Sequence, residues 1–155
     1  MKVYGLSISD ESPLTDIDLY RYARELKINN FRGVYMRDNL PKVARSKECG
    51  IVNFNTSEQS GSHWVCYYKD GMKIRIYFDS FGQVTLDEIQ KHLKTEKEYE
   101  MGKEVIQRNT DIVQRVNTHV CGHLCLFVLT ALSREHLTFQ EVLNKLNDGY
   151  TRGDW

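Results

Sequence analysis

Only two prolines occur in 155 residues, and no linker, repeat or low-complexity segment interrupts the chain. Nothing divides it, so a single domain over residues 1–155 is expected. No apolar run approaches the roughly 20 residues needed to cross a bilayer, which excludes a membrane-spanning helix. No long apolar stretch follows Met1-Lys2-Val3-Tyr4-Gly5, so a secreted product is not expected. Charge of one sign is also missing. Lys+Arg and Asp+Glu both count 21, so net charge offers no argument for nucleic acid or membrane. Cysteine is sparse: Cys49, Cys66, Cys121 and Cys125 read as thiols in a reducing, intracellular compartment, not as a disulfide framework. Serine-hydrolase and phosphate-loop motifs are absent.

The chain is nonetheless rich enough to fold alone. Hydrophobic residues make up 41% and aromatic residues 11%, which excludes a disordered chain and can fill a core without staples. One stretch, 21–47, carries eight cations against Glu25 and Asp38. A solvated face is the ordinary reading of such a run, and weak DNA contact is the sharper one.

The pattern predicts an α+β architecture: a mostly antiparallel or mixed sheet of four or five strands on a buried central helix, with flanking helices. Thr15-Asp16-Ile17-Asp18 starts a helix that ends near Asn29-Asn30. Residues 33–36 and 50–54 read as strands, and 57–61 as a polar loop. Residues 63–68 and 73–78 read as a hairpin around Asp70-Gly71. Thr85-Leu86-Asp87-Glu88 has the form of a capping box for a helix to about Leu93. The highly charged 94–103 stretch reads as an exposed helix end or loop, and 104–107 and 111–114 as short strands. Residues 121–132 are apolar nearly all round, which marks a helix buried on every side. Thr138 opens a last helix to about Leu146, stopped by Asp148-Gly149.

Chemistry concentrates on four residues in the order His63, Asp79, Gln114, Cys121. Cys121 opens the buried helix, where the positive end of the helix dipole favours a thiolate. Gly122 beside it leaves room for a substrate backbone. His63 is the candidate general base. Asp79 would hold its tautomer, and the side-chain N–H groups of Gln114 would stabilise an oxyanion with the Cys121 backbone N–H. Each residue alone has a plainer role: core thiol, strand histidine, turn aspartate, polar strand end. Cys125, one turn further along the apolar helix, is assigned the plain role of a small core hydrophobe. Trp64 is placed as packing under the imidazole or as a substrate contact. His119, Cys121, His123 and Cys125 alternate, but four ligands so close in one helix or strand cannot surround a tetrahedral ion, and no metal site is assigned. Arg152-Gly153-Asp154 is taken as coincidence.

The set resembles the adenovirus-type cysteine endopeptidases, relatives of the SUMO and ubiquitin-like proteases. The resemblance is carried by Glu48-Cys49-Gly50-Ile51-Val52-Asn53, by Gly61-Ser62-His63-Trp64, by Tyr77-Phe78-Asp79-Ser80-Phe81-Gly82, and by Gln114 seven residues before Cys121-Gly122. The phrase from Phe31 to Pro41 looks most like proteases of Maverick/Polinton elements and adenovirus-like DNA viruses. Together these matches span residues 31 to about 130. The resemblance implies the adenain-like fold and a His63-Asp79-Cys121 triad with Gln114 in the oxyanion hole. It implies a monomeric enzyme that cleaves polypeptides, viral capsid or core precursors at glycine-containing sites, in host nucleus, cytoplasm or virion. Ubiquitin- or SUMO-like isopeptidase activity and a catalytically silent binding module are the other readings of this fold. The acid is Asp, as in the SUMO-protease branch, where adenovirus enzymes carry Glu. Those enzymes are activated by a disulfide-linked peptide and by DNA. No residue here matches the peptide-linking cysteine, so no cofactor is assigned.

Overall fold

The computed structural model describes residues 1–58 and 63–155. Gln59 to Ser62, within the expected polar loop and the Gly-Ser-His-Trp match, lie outside the described residues. Five strands form one mixed sheet in chain order: β3 (Phe31–Met36), β4 (Lys47–Asn53), β5 (Trp64–Asp70), β6 (Ile74–Phe78) and β7 (Gln107–Arg108). The three middle strands pair antiparallel and both edge strands pair parallel. A small hairpin of β1 (Lys2–Val3) and β2 (Leu6–Ser7), not anticipated from the sequence, precedes them.

Helices cover both faces. On one lies α4 (Cys121–Ser133), flanked by α1 (Asp16–Glu25) and α5 (Phe139–Arg152). Twelve of the thirteen α4 residues are buried, as expected for a helix apolar all round. Ile51, Cys66, Ile76 and Phe78 meet Leu124, Val128 and Leu132 in this core. On the opposite face α2 (Asp87–Leu93) brings Ile89 and Leu93 against Val52, Val65, Tyr67 and Tyr77. The period-2 alternation of β6 supplies both cores: Ile76 and Phe78 point one way, Tyr77 the other.

Capping chemistry fixes most helix ends. Thr15 and Asp18 form a reciprocal capping box, as do Thr138 and Glu141. The box expected at Thr85 does not form. Helix α2 starts one residue later, at Asp87, with Leu86 as N-cap and no side-chain cap, and Thr85 is buried. The box is instead made by Thr95 and Glu98, which start α3 (Glu96–Glu100) inside the charged stretch. Residues 111–114 are not a strand. The edge strand is two residues long at Gln107–Arg108, and 109–120 forms an irregular loop committed to the site described below. Helix α5 runs through Asp148-Gly149 and ends with Gly153 in the left-handed conformation (φ 80°). Among the described residues, no helix is long and apolar enough to cross a membrane.

The cations of 21–47 are partly committed internally. Arg32 pairs with Glu48 at 2.8 Å and Arg37 with Glu88 at 2.8 Å, while Lys47 lies 3.8 Å from Asp70.

Candidate active site

The site forms where β5 begins, β6 ends and α4 begins. His63 immediately precedes β5, and its carbonyl accepts from Phe54 N at 2.7 Å, so the ladder holds it one residue beyond the strand. Asp79 follows β6 directly and is fully buried. Strands β5 and β6 are antiparallel neighbours, so the start of one lies beside the end of the other. The sheet thus brings His63 Nε2 within 2.8 Å of Asp79 Oδ1, where it donates a hydrogen bond.

Cys121 approaches from above. Its Sγ accepts a hydrogen bond from Trp64 N at 3.5 Å, and its thiol also interacts with the His63 ring. With Nε2 turned to Asp79, Nδ1 is the ring nitrogen left for sulfur. Cys125 Sγ donates to Trp64 O at 3.5 Å. Two thiols one helical turn apart therefore grip the two ends of one backbone residue. Cys125 is buried in the core, as anticipated, but it also registers the helix on β5.

Burial on its own would lower the pKa of His63. The hydrogen bonds to Asp79 and to the Cys121 thiol outweigh it and hold the imidazolium up to about 9. A cationic imidazole beside a sulfur is the arrangement that sustains a thiolate–imidazolium pair. Its aromatic neighbours are Phe54 and Phe81, with centroids at 5.9 and 5.1 Å. Trp64, expected beneath the imidazole, instead lies against Gly122, where an added Cβ would stand 3.3 Å from Trp64 Cδ1.

The oxyanion side is open at the helix end. Val120 is the N-cap of α4 and provides no side-chain hydrogen bond, so no described side chain caps the first N–H groups of the helix. Gln114 is buried. Its Oε1 accepts from Ser80 Oγ at 2.5 Å and its Nε2 donates to Thr118 O at 3.2 Å. One amide N–H of Gln114 remains free of these bonds.

Three residues that the sequence did not single out position the expected ones. Asn109 Oδ1 accepts from Asp79 N at 3.1 Å, and its Nδ2 donates back to Asp79 O at 2.6 Å. Phe81 N donates to Asp79 Oδ1 at 2.8 Å, while Oδ2 is buried without a partner among the described residues. Ser80 aims Gln114, and its carbonyl accepts from Val113 N at 2.9 Å. The turn closes at Gly82, whose φ of 66° favours glycine and whose Cβ, if present, would collide with the Thr110 carbonyl. The sequence hints were the turn character of Asp79-Ser80-Phe81-Gly82, its place in a stretch that carried the resemblance, and an asparagine in an otherwise unassigned loop.

No protein-family model matches the chain, and no curated protein sequence matches it significantly. A solved structure similar to it is the SUMO protease Ulp1 with the catalytic cysteine oxidized to a sulfonic acid. That match is 16% identical, covers 88% of this chain and 75% of the other, and has a TM-score of 0.48.

Among the described residues no group of three or more His, Cys, Asp or Glu side chains converges as metal ligands would. His123, from the alternating His/Cys run, is buried inside the fold and pairs with Ser9 O at 2.7 Å.

Proposed function

We propose that this chain is a cysteine endopeptidase. The observation that carries the reading is the continuous line Asp79–His63–Cys121 at the start of an uncapped helix. In the proposed reaction the Cys121 thiolate attacks the scissile carbonyl carbon and forms a C–S bond. The oxyanion lies against the Cys121 N–H and the free N–H of Gln114. His63, as imidazolium, gives its proton to the departing amine and the C–N bond breaks. Water then attacks the thioester, with His63 as base, releasing the acid and restoring the thiol. Asp79 holds the ring so that Nδ1 faces sulfur throughout.

The substrates proposed are structural-protein precursors of a virus or virus-like element, cut at glycine-containing sites. The sequence resemblance over residues 31 to about 130 supports that choice. Alkylation tests the reading. Burial pushes the thiols of Cys49 and Cys125 up, which disfavours their reaction. Iodoacetamide on folded protein is therefore expected to label Cys121 first, and glycine-containing peptides are expected to be cut by wild type but not by Cys121→Ala. Equal labelling of all four cysteines would overturn the proposal. Covalent capture by ubiquitin-like C-terminal probes, without cleavage of free peptides, would redirect it to an isopeptidase.

A further inference from the structure

Arg115 directly follows Gln114 and reaches across to the end of α5. Its Nη2 donates to Tyr150 O at 2.7 Å, its Nη1 donates to Trp155 O, and its Cζ lies 4.3 Å over the Tyr150 ring. A cation suits that place, because the carbonyl end of a helix carries the negative end of its dipole. Trp155 in turn has a built seat. Its indole lies over Gly149, where an added Cβ would collide with the benzene half of the ring, and 6.1 Å from the Phe127 ring of α4. The indole Nε1 is buried there without a partner among the described residues, so shape and the Arg115 bond hold the residue, not the indole N–H.

The other end of this contact is the loop that carries Gln114. Before Gln114 the loop is tied to the sheet, since Val113 N donates to Ser80 O at 2.9 Å. After it the tether is lost. Residues 114–119 make no hydrogen bond between main-chain groups among the described residues, and Asn117 stands in the left-handed region (φ 66°). Side chains close the turn instead. Thr118 Oγ1 donates to Arg115 O at 2.7 Å, and Gln114 Nε2 donates to Thr118 O at 3.2 Å. Of residues 115–119, Arg115 is the one whose side chain bonds to a different element among the described residues.

Resting on the peptidase reading, we propose that Arg115 is a positioning residue: by clamping the turn to the end of α5 and to the seated Trp155, it fixes Thr118 O and so aims the free N–H of Gln114 at the oxyanion. An amide side chain carries two N–H groups, and the bond that one of them makes to Thr118 O sets where the other points. Release of the turn lets Thr118 O drift, and the amide turns about its bond to Ser80 with it. A donor stabilises an oxyanion only when it is held where the charge develops. A displaced amide therefore lowers kcat without weakening ground-state binding. The guanidinium touches neither substrate nor sulfur and acts through Gln114.

Steady-state kinetics on a glycine-containing peptide test the proposal, with a double variant as the decisive measurement. Arg115→Ala is expected to lower kcat about tenfold while KM stays unchanged. Gly149→Ala keeps Arg115 but fills the indole seat, and is also expected to lower kcat. In the Gln114→Ala protein, Arg115→Ala is expected to lower kcat by less than about twofold further, because nothing remains for it to aim. The iodoacetamide rate at Cys121 is expected to stay the same in every variant, since alkylation forms no oxyanion. A second readout needs no turnover. The side-chain amide signal of Gln114 in the NMR spectrum of labelled protein is expected to shift in both Arg115→Ala and Gly149→Ala. Unchanged kcat in Arg115→Ala, the same loss with and without Gln114, or an unmoved Gln114 signal would overturn the proposal. Full activity in Gly149→Ala would overturn the part given to Trp155. A Gln114 signal that moves in a protein whose wild type cuts no peptide would instead overturn the peptidase reading and keep Arg115 as the anchor of the loop.

Discussion

Two histidine–carboxylate pairs with buried acids lie on this sheet among the described residues, and they resemble each other in length but not in what surrounds them. His63 meets Asp79 at 2.8 Å and His92 meets Glu48 at 2.9 Å. Both acids are buried; the first pair closes the ends of the β5–β6 hairpin, and the second joins α2 to β4 across 44 positions. Around Glu48 every position is filled. Oε1 accepts from Tyr67 OH at 2.5 Å and from His92, and Oε2 accepts from Arg32 at 2.8 Å and from Arg45 N at 2.6 Å. The second nitrogen of His92 is bonded to Pro41 O at 2.9 Å. Gly50 makes this closure possible, since a Cβ there would stand 2.8 Å from the Tyr67 ring. Around His63 and Asp79 the valences are not all used. Asp79 Oδ2 lacks a partner among the described residues, and the His63 ring also interacts with the Cys121 thiol. A saturated pair locks helix α2 to the sheet, while an unsaturated one is available for chemistry. Distance and the burial of the acids alone do not separate them.

Mutating the two acids breaks this comparison most directly. Asp79→Asn should lower turnover by about 10⁴-fold, the loss expected when the orienting acid of a triad is replaced, while the melting temperature falls less than in Glu48→Ala. Glu48→Ala should do the reverse. Arg32 and His92 lose their common partner inside the protein, at a cost of about 3–5 kcal/mol in chemical denaturation, with turnover per folded molecule retained. If both variants lost activity and stability in the same proportion, the distinction would fail.

Gln114→Ala should come next, with kcat lowered about 10²–10³-fold. Loss of its bonds to Ser80 and Thr118 adds a stability cost of about 1 kcal/mol per bond, which urea titration measures.

The gentlest probe is pH. Burial raises the pKa of Glu48, but its bonds to His92 and Tyr67 win and hold it at about 2, below its usual 4.5. Its folded pKa is depressed, so its stabilisation is present above about 4.5 and is lost as pH falls toward 2. His63 behaves oppositely. Its folded pKa of about 9 lies above the usual 6.5, so its stabilisation is present below 6.5 and lost as pH rises through 9. The alkaline limb of kcat/KM should therefore fall near 9 and move down in Asp79→Asn. A limb that stays in place in that variant would remove Asp79 from control of the imidazolium.

Much of this was legible in the sequence where signals are local. The helix starts at Thr15 and Thr138, the Asp70-Gly71 hairpin, and a helix buried on all sides from Cys121 each depend on residues within a few positions of one another. The form at Thr85 misled because the same four-residue pattern serves only when its threonine is exposed at a helix start, and packing buried this one. The stretch 111–114 has strand-like composition, but its backbone is taken up by Ser80 and by the loop that carries Gln114. The residues that hold the site, Asn109 and Ser80, gave little signal because each acts through a partner brought close only by the fold. Asn109 reaches Asp79 across 30 positions and Ser80 reaches Gln114 across 34.

The sequence by itself determined the inventory: an α+β chain, and a thiol, an imidazole, a carboxylate and an amide in a usable order. Residue type and short-range periodicity suffice for that, because they set which groups exist and which faces are apolar. Tertiary structure decided which valences stay free. It closed the Glu48–His92 pair with Tyr67, Arg32 and Arg45, and left an N–H of Gln114 and the start of α4 without a side-chain partner among the described residues. Satisfaction of a polar group is a property of its surroundings, and those surroundings come from segments far apart in the chain.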